Sequence, residues 1–172
     1  MTEILELETR RKIYNLIVKN PGLHVSRIAE LLDLSSQLID YHLLYMQRHE
    51  LITIELEEGY KRCYIKGEIG SEDKRILKFL RQEIPLTIIV YLLKNPYARH
   101  RDIYKELGIS SPLSSYHLRK LVKSGIIEVS SSGDKHGYIV SNAEKVIELL
   151  IRYRPTSVTK MVKDTWMDFA PG

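Results

Sequence analysis

The chain has 172 residues, 44% apolar and 28% charged, which suits one ordinary domain or two small ones with real cores and excludes a disordered or collagen-like polymer. Its 26 Lys and Arg against 22 Asp and Glu leave a formal charge of +4, a mild basic bias that points toward an anionic partner without identifying it. Its single cysteine, Cys63, excludes an internal disulfide and a cysteine-rich zinc site, so the chain reads as cytoplasmic, with Cys63 a small, half-buried strand residue.

The first twenty residues carry Glu3, Glu6, Glu8, Arg10, Arg11 and Lys12, and the longest apolar run, residues 86–93, falls far short of the ~20 residues that span a bilayer. Neither secretion nor membrane insertion is expected. Ile13, Leu16 and Ile17 lie at helical spacing on a first helix that Asn20-Pro21-Gly22 stops, Asn tolerating a left-handed cap and Pro being unable to continue. A short second helix over residues 25–32 carries Ile28, Leu31 and Leu32 on one side. After a turn at Asp33-Leu34, Ser35 and Ser36 are good N-cap residues for a third helix that runs to about Arg48. Residues 51–56 have strand composition, 57–60 read as a turn and 62–66 as a return strand. Residues 71–82 then form a helical join, capped by Ser71, with Ile76, Leu77 and Leu80 on one side, and Pro85 starts the next helix. A helical join holds the units on either side in a fixed orientation.

From there the chain repeats itself. A shift of 75 positions places Lys19-Asn20-Pro21 on Lys94-Asn95-Pro96, Ser35-Ser36 on Ser110-Ser111, and Tyr41-His42-Leu43 on Tyr116-His117-Leu118. Past the helices the offset falls by one, and Gly59, Lys61, Tyr64 and Ile65 match Gly133, Lys135, Tyr138 and Ile139. Two copies are too few for a solenoid, so each must fold by itself. The second copy has Gly108 in its turn, Pro112 in the first turn of its third helix, strands over 126–129 and 137–140, and a loop over 130–134. Asn142 caps a further helix with Val146, Ile147, Leu150 and Ile151, and Pro155 restarts a last one with Val158, Met161, Val162 and Trp166. The predicted fold is mainly α with small β-hairpin wings (α+β), two winged helix-turn-helix domains in tandem: 1–67, a join over 68–83, 84–141, and C-terminal helices over 142–172 for packing or homodimerisation.

Leu34-Ser35-Ser36 leading to Tyr41-His42-Leu43, and Ile109-Ser110-Ser111-Pro112 leading to Tyr116-His117-Leu118-Arg119-Lys120-Leu121, resemble the ArsR and MarR-like winged-helix transcriptional regulators, particularly archaeal tandem forms. The resemblance covers most of residues 10–66 and 84–141. It implies double-stranded DNA as partner, with the third helix of each copy in the major groove and the wing on the backbone or minor groove. In the second copy Pro112, Ser115, Tyr116, Arg119 and Lys123 form one outward stripe of hydroxyl, aromatic and cationic groups. The same stripe in the first copy reads Gln37, Asp40, Tyr41, Leu44 and Arg48, less basic and more apolar. The expected DNA-binding residues are Ser36, Gln37, Tyr41 and Arg48 in the first copy. In the second they are Arg99, Arg101, Ser110, Ser111, Ser115, Tyr116, Arg119, Lys120, Lys123 and, on the wing, Lys135.

Charge is divided between the halves: residues 1–67 carry 9 basic and 10 acidic side chains, residues 68–172 carry 17 and 12. A solvated surface would also be charged, but here the cations cluster on the expected recognition helix and its lead-in. The Leu44-bearing face of the first copy instead favours a rival reading, a protein-interaction scaffold of tandem winged helices in chromosome segregation or the transcription machinery. Of the six histidines, no pair stands at metal-ligand spacing on one helix; His42 and His117 are expected to pack or cap, and His24, His100 and His136 to lie at the surface. With no phosphate loop or nucleophile elbow either, the expectation is a non-enzyme without metal or cofactor; no effector is legible.

Overall fold

A computed structural model describes residues 7–153; the expected last helix, from Pro155 on, lies outside them. The elements run α1 (Glu8–Lys19), β1 (Leu23–His24), α2 (Val25–Leu32), α3 (Ser36–Arg48), β2 (Ile52–Glu57), β3 (Tyr60–Ile65), α4 (Ser71–Leu80), α5 (Glu83–Lys94), α6 (His100–Glu106), α7 (Ser111–Lys123), β4 (Ile127–Ser132), β5 (Lys135–Val140) and α8 (Ala143–Arg152). They form two compact units that divide between Lys74 and Arg75, within α4. No helix of the described residues is long and apolar enough to cross a membrane.

In the first unit, α1 ends where the Asn20 side-chain amide donates to the Leu16 carbonyl at 3.1 Å, satisfying one of the carbonyls that a helix end orphans. Asn20 itself is not left-handed, as its residue type suggested; the left-handed residue is Gly22, with φ +82°. His24 caps α2, its Nδ1 accepting from the Arg27 N–H. That helix buries Ile28 and Ala29, while Leu31, expected inward, is 40% exposed. Asp33 is left-handed at φ +53°, and α3 opens with the Ser35 hydroxyl accepting from the Leu38 N–H at 3.3 Å. Ile39, His42, Leu43 and Met46 turn α3 into a core with Ile13, Ile17, Ile28, Ile52 and Cys63. Fully burying each of the aliphatic members contributes about 1.5–3 kcal/mol.

Strands β2 and β3 pair antiparallel from Ile52↔Ile65 to Glu57↔Tyr60, leaving Glu58 and Gly59 as a two-residue turn. Both are left-handed, φ +51° and +83°, the twist that a two-residue hairpin demands. A third, unforeseen strand, β1, pairs with β3 through Leu23↔Cys63 and His24↔Arg62. Cys63 is therefore wholly buried, not half-buried, and desolvation pushes its thiol pKa up to about 12.

The second unit runs through the same order, and its backbone repeats where its residues do not. The left-handed positions Gly22, Asp33 and Glu50 recur as Tyr97, Gly108 and Gly125, whether or not glycine fills them, while the hairpin turns differ: Glu58 and Gly59 are both left-handed, but only Gly133 is in the second turn. The Asn95 side chain caps α5 on the Tyr91 carbonyl as Asn20 does on Leu16. The second hairpin is longer than its composition suggested: β4 and β5 stay paired out to Ser132↔Lys135. Ala98 bridges Tyr138 where the first unit has its third strand. Gly137 is buried so close to the Tyr97 carbonyl that no Cβ would fit. On α8, capped by the Asn142 side chain, Val146, Leu149 and Leu150 are buried while Ile151 is 42% exposed, so Leu149 takes the inward place expected of Ile151.

Candidate nucleic-acid interface

Helix α7 is built to present one polar face. The Ser110 hydroxyl accepts from the Leu113 N–H at 3.4 Å, and Pro112 occupies the first turn, where a missing N–H leaves no bond unmade. Ser114, Leu118 and Leu121 are buried, which fixes the roll of the helix. Ser111, Pro112, Tyr116, Arg119, Lys120 and Lys123 are consequently exposed, and Ser115 is half-buried. Tyr116 is 47% exposed, with the Lys120 ammonium 5.0 Å from its ring centroid and the His117 ring edge-on at 5.0 Å. The Arg119 Nε–H donates to the Ser115 carbonyl at 3.3 Å, which lays the guanidinium along the helix.

Arg99 and Arg101, both exposed, stand at the start of α6; the Arg99 N–H donates to the Asp102 carboxylate at 3.1 Å, a cap that leaves the guanidinium unused. Lys135 is exposed at the tip of the second wing. Arg99, Arg101, Arg119, Lys123 and Lys135 form no ion pair with any described residue. Their charge is open to an anionic partner.

In the first unit Ser36, Gln37, Tyr41 and Arg48 are likewise exposed on α3. Around them stand Leu38, Tyr41 and Leu44, exposed by 39%, 61% and 48%. Cations of this unit's wing and of the chain after it are engaged internally: Lys61 with Asp40 at 3.5 Å, Arg62 with Glu57 at 3.2 Å, Lys66 with Glu50 at 2.7 Å, and Lys74 of α4 with Glu55. Arg62 also donates to the Gly22 carbonyl. Exposed pairs of this kind add little to stability, yet each cancels a charge that a phosphate would need.

His42 and His117 pack inside their units, as expected. His42 is buried and His117 half-buried, each with its Nδ1 shielded and without a hydrogen-bond partner. Burial lowers both pKa values, helped by Arg10 beside His42 and Lys120 beside His117. Arg10, read from sequence only as a charge interrupting the first twenty residues, is buried with its guanidinium 3.7 Å from the Tyr45 ring centroid. Of the histidines expected at the surface, His136 is exposed and bonds Ser131, while His100 is half-buried and bonds Ser115. Pairing the two copies carries a signal for the His100 contact: the positions matching His100 and Ser115 hold Val25 and Asp40, so the contact belongs to the second copy alone. No cluster of three or more metal-ligating side chains occurs among the described residues.

Comparison with known proteins matches this geometry. A family model described as winged helix-turn-helix DNA-binding matches residues 6–53 and again 81–128, two segments in the register of the internal repeat. An HTH-type transcriptional regulator of Methanocaldococcus jannaschii is 30% identical over 141 residues, 82% of this chain and 35% of the relative. The chain thus spans about a third of that relative's length. The crystal structure of ScpB from Mycobacterium tuberculosis aligns over 83% of this chain and 94% of its own, at 16% identity and a TM-score of 0.30, too distant to bear on function.

Proposed function

Because the chain belongs to the winged helix-turn-helix DNA-binding family, we propose that it is a non-enzymatic, sequence-specific regulator of transcription whose second unit leads recognition of double-stranded DNA. The observation that carries this reading is that the exposed cations Arg99, Arg101, Arg119, Lys123 and Lys135 form no ion pair with any described carboxylate. Ser111, Ser115 and Tyr116 face the base edges, Arg119 and Lys123 flank them on phosphate or guanine, and Arg99, Arg101, Ser110, Lys120 and Lys135 hold the backbone. In the first unit Ser36, Gln37, Tyr41 and Arg48 make the lesser contribution, since Asp40 and the paired wing work against a phosphate surface there.

A second reading, protein contact by the first unit, is supported by the exposed Leu38, Tyr41 and Leu44 on α3. The regulator acts in the cytoplasm, as a homodimer joined through residues 142–172.

Titration of duplex DNA at several salt concentrations tests the main reading. Binding that weakens steeply with salt, and weakens further in Arg119→Ala and Lys123→Ala, supports it. Absence of binding at low salt overturns it.

A further inference from the structure

We infer that His100 is a specificity-determining residue that acts through Ser115, setting the direction of its hydroxyl and hence which base edge the recognition helix accepts. The inference rests on the proposal that α7 reads DNA.

The geometry is local. His100, the first residue of α6, places its Nε2 3.2 Å from the Ser115 hydroxyl oxygen on α7. Its ring is held edge-on to Tyr104, centroids 5.2 Å apart, so it is positioned by packing as well as by that bond. Ser115 is half-buried between the core residue Ser114 and the exposed Tyr116, with Arg119 bound to its carbonyl one turn on. Among the described residues His100 is the side-chain partner of the Ser115 hydroxyl.

A serine hydroxyl has one proton to give and two lone pairs, and it rotates to suit its neighbours. If Nε2 is unprotonated, the Ser115 O–H donates to it, and the oxygen turns only lone pairs outward, which suits the amino group of cytosine or adenine. With a proton on Nε2, the histidine donates, and the Ser115 O–H is free to seek O6 or N7 of guanine or O4 of thymine. When Nε2 accepts, the bond takes the hydroxyl's single proton and leaves it an acceptor; when Nε2 donates, it occupies one of two lone pairs and fixes the direction of the proton that remains free. His100 therefore narrows what Ser115 tolerates. The first unit handles the same helix position differently, holding Asp40 with Lys61 from its wing.

The test is selection of bound sequences from a randomised duplex pool, with wild type, His100→Ala, His100→Gln, Ser115→Ala and the His100→Ala/Ser115→Ala double variant, each checked for folding by thermal unfolding. His100→Ala and Ser115→Ala are expected to relax preference at one and the same base pair by about fivefold, the worth of a single net hydrogen bond. The double variant should be no worse than Ser115→Ala, and His100→Gln, which keeps a hydrogen-bonding end at that reach, should retain a preference there. In His100→Ala and His100→Gln, affinity for non-specific duplex should stay within about twofold, because no phosphate-binding cation is changed. The inference is overturned if His100→Ala leaves the wild-type preference intact or alters a base pair other than the one Ser115→Ala alters. A wild-type protein that selects no sequence overturns the DNA-reading proposal itself, a result distinct from either of those.

Discussion

Lys61 Nζ lies 3.5 Å from Asp40 Oδ1, joining the first wing to the outward side of α3. The matching position on α7 is Ser115; in the second wing the strand register keeps the shift of 75, without the expected slip of one, so His136 takes the place of Lys61 and the neighbouring Lys135 stands free of described carboxylates. One scaffold thus carries two surfaces, one self-neutralised and one open. The difference lies in a few side chains, because the two units share an order of elements and three left-handed turns outside the hairpins.

Replacing Asp40 with the serine of the second unit is expected to release Lys61 and remove a charge that repels phosphate. Duplex affinity at low salt should rise about two- to fivefold. Thermal unfolding should move little, since an exposed pair contributes roughly 0–1 kcal/mol. Unchanged affinity with unchanged stability would mean that α3 stays away from DNA.

Arg119→Ala and Lys123→Ala should each lower the slope of log affinity against log salt by about one, the signature of a lost phosphate contact. If Arg119 instead reads guanine, its removal costs about 1–3 kcal/mol on the cognate site and little on random duplex, so the two pools separate the roles. Arg48→Ala should have the smaller effect, with Asp40 and Leu44 on the same face.

His42 and His117 have folded-state pKa values below the ordinary histidine value of about 6.5. Below that pH the unfolded chain binds protons that the folded chain refuses, so stability falls on acidification and is recovered on return to neutrality. Chemical denaturation at pH 5 and pH 7.5 should show this loss, and His42→Gln and His117→Gln should each shrink the difference. A pH difference that both variants leave intact would assign the effect to other groups.

Gly137→Ala would drive a Cβ into the Tyr97 carbonyl, which belongs to backbone and cannot swing aside. A loss of about 1–3 kcal/mol is expected, read as a lower denaturant midpoint. Gly125→Ala meets no atom but must hold φ +71°, so its loss should be nearer 1 kcal/mol. Equal losses would contradict the steric account.

The repeat, the order of elements, the serine caps and the polar stripe of α7 were legible in residue order alone, because each depends on spacing within a turn or two of helix. Leu118 and Leu121 pointed inward for that reason, and so Arg119 and Lys123 pointed out. What the residue order left open were contacts between elements. The pairing of Leu23 with Cys63 joins residues 40 apart, Lys61 reaches Asp40 across 21 positions, and His100 meets Ser115 across 15. A two-residue strand has no periodicity, and a charge does not announce its partner. The sequence by itself therefore determined that there are two winged units and which helix in each faces outward. Only the tertiary structure decided which cations are already spent on carboxylates and which remain open to an anionic partner, since that depends on distances set when hairpin, helix and loop close around a core.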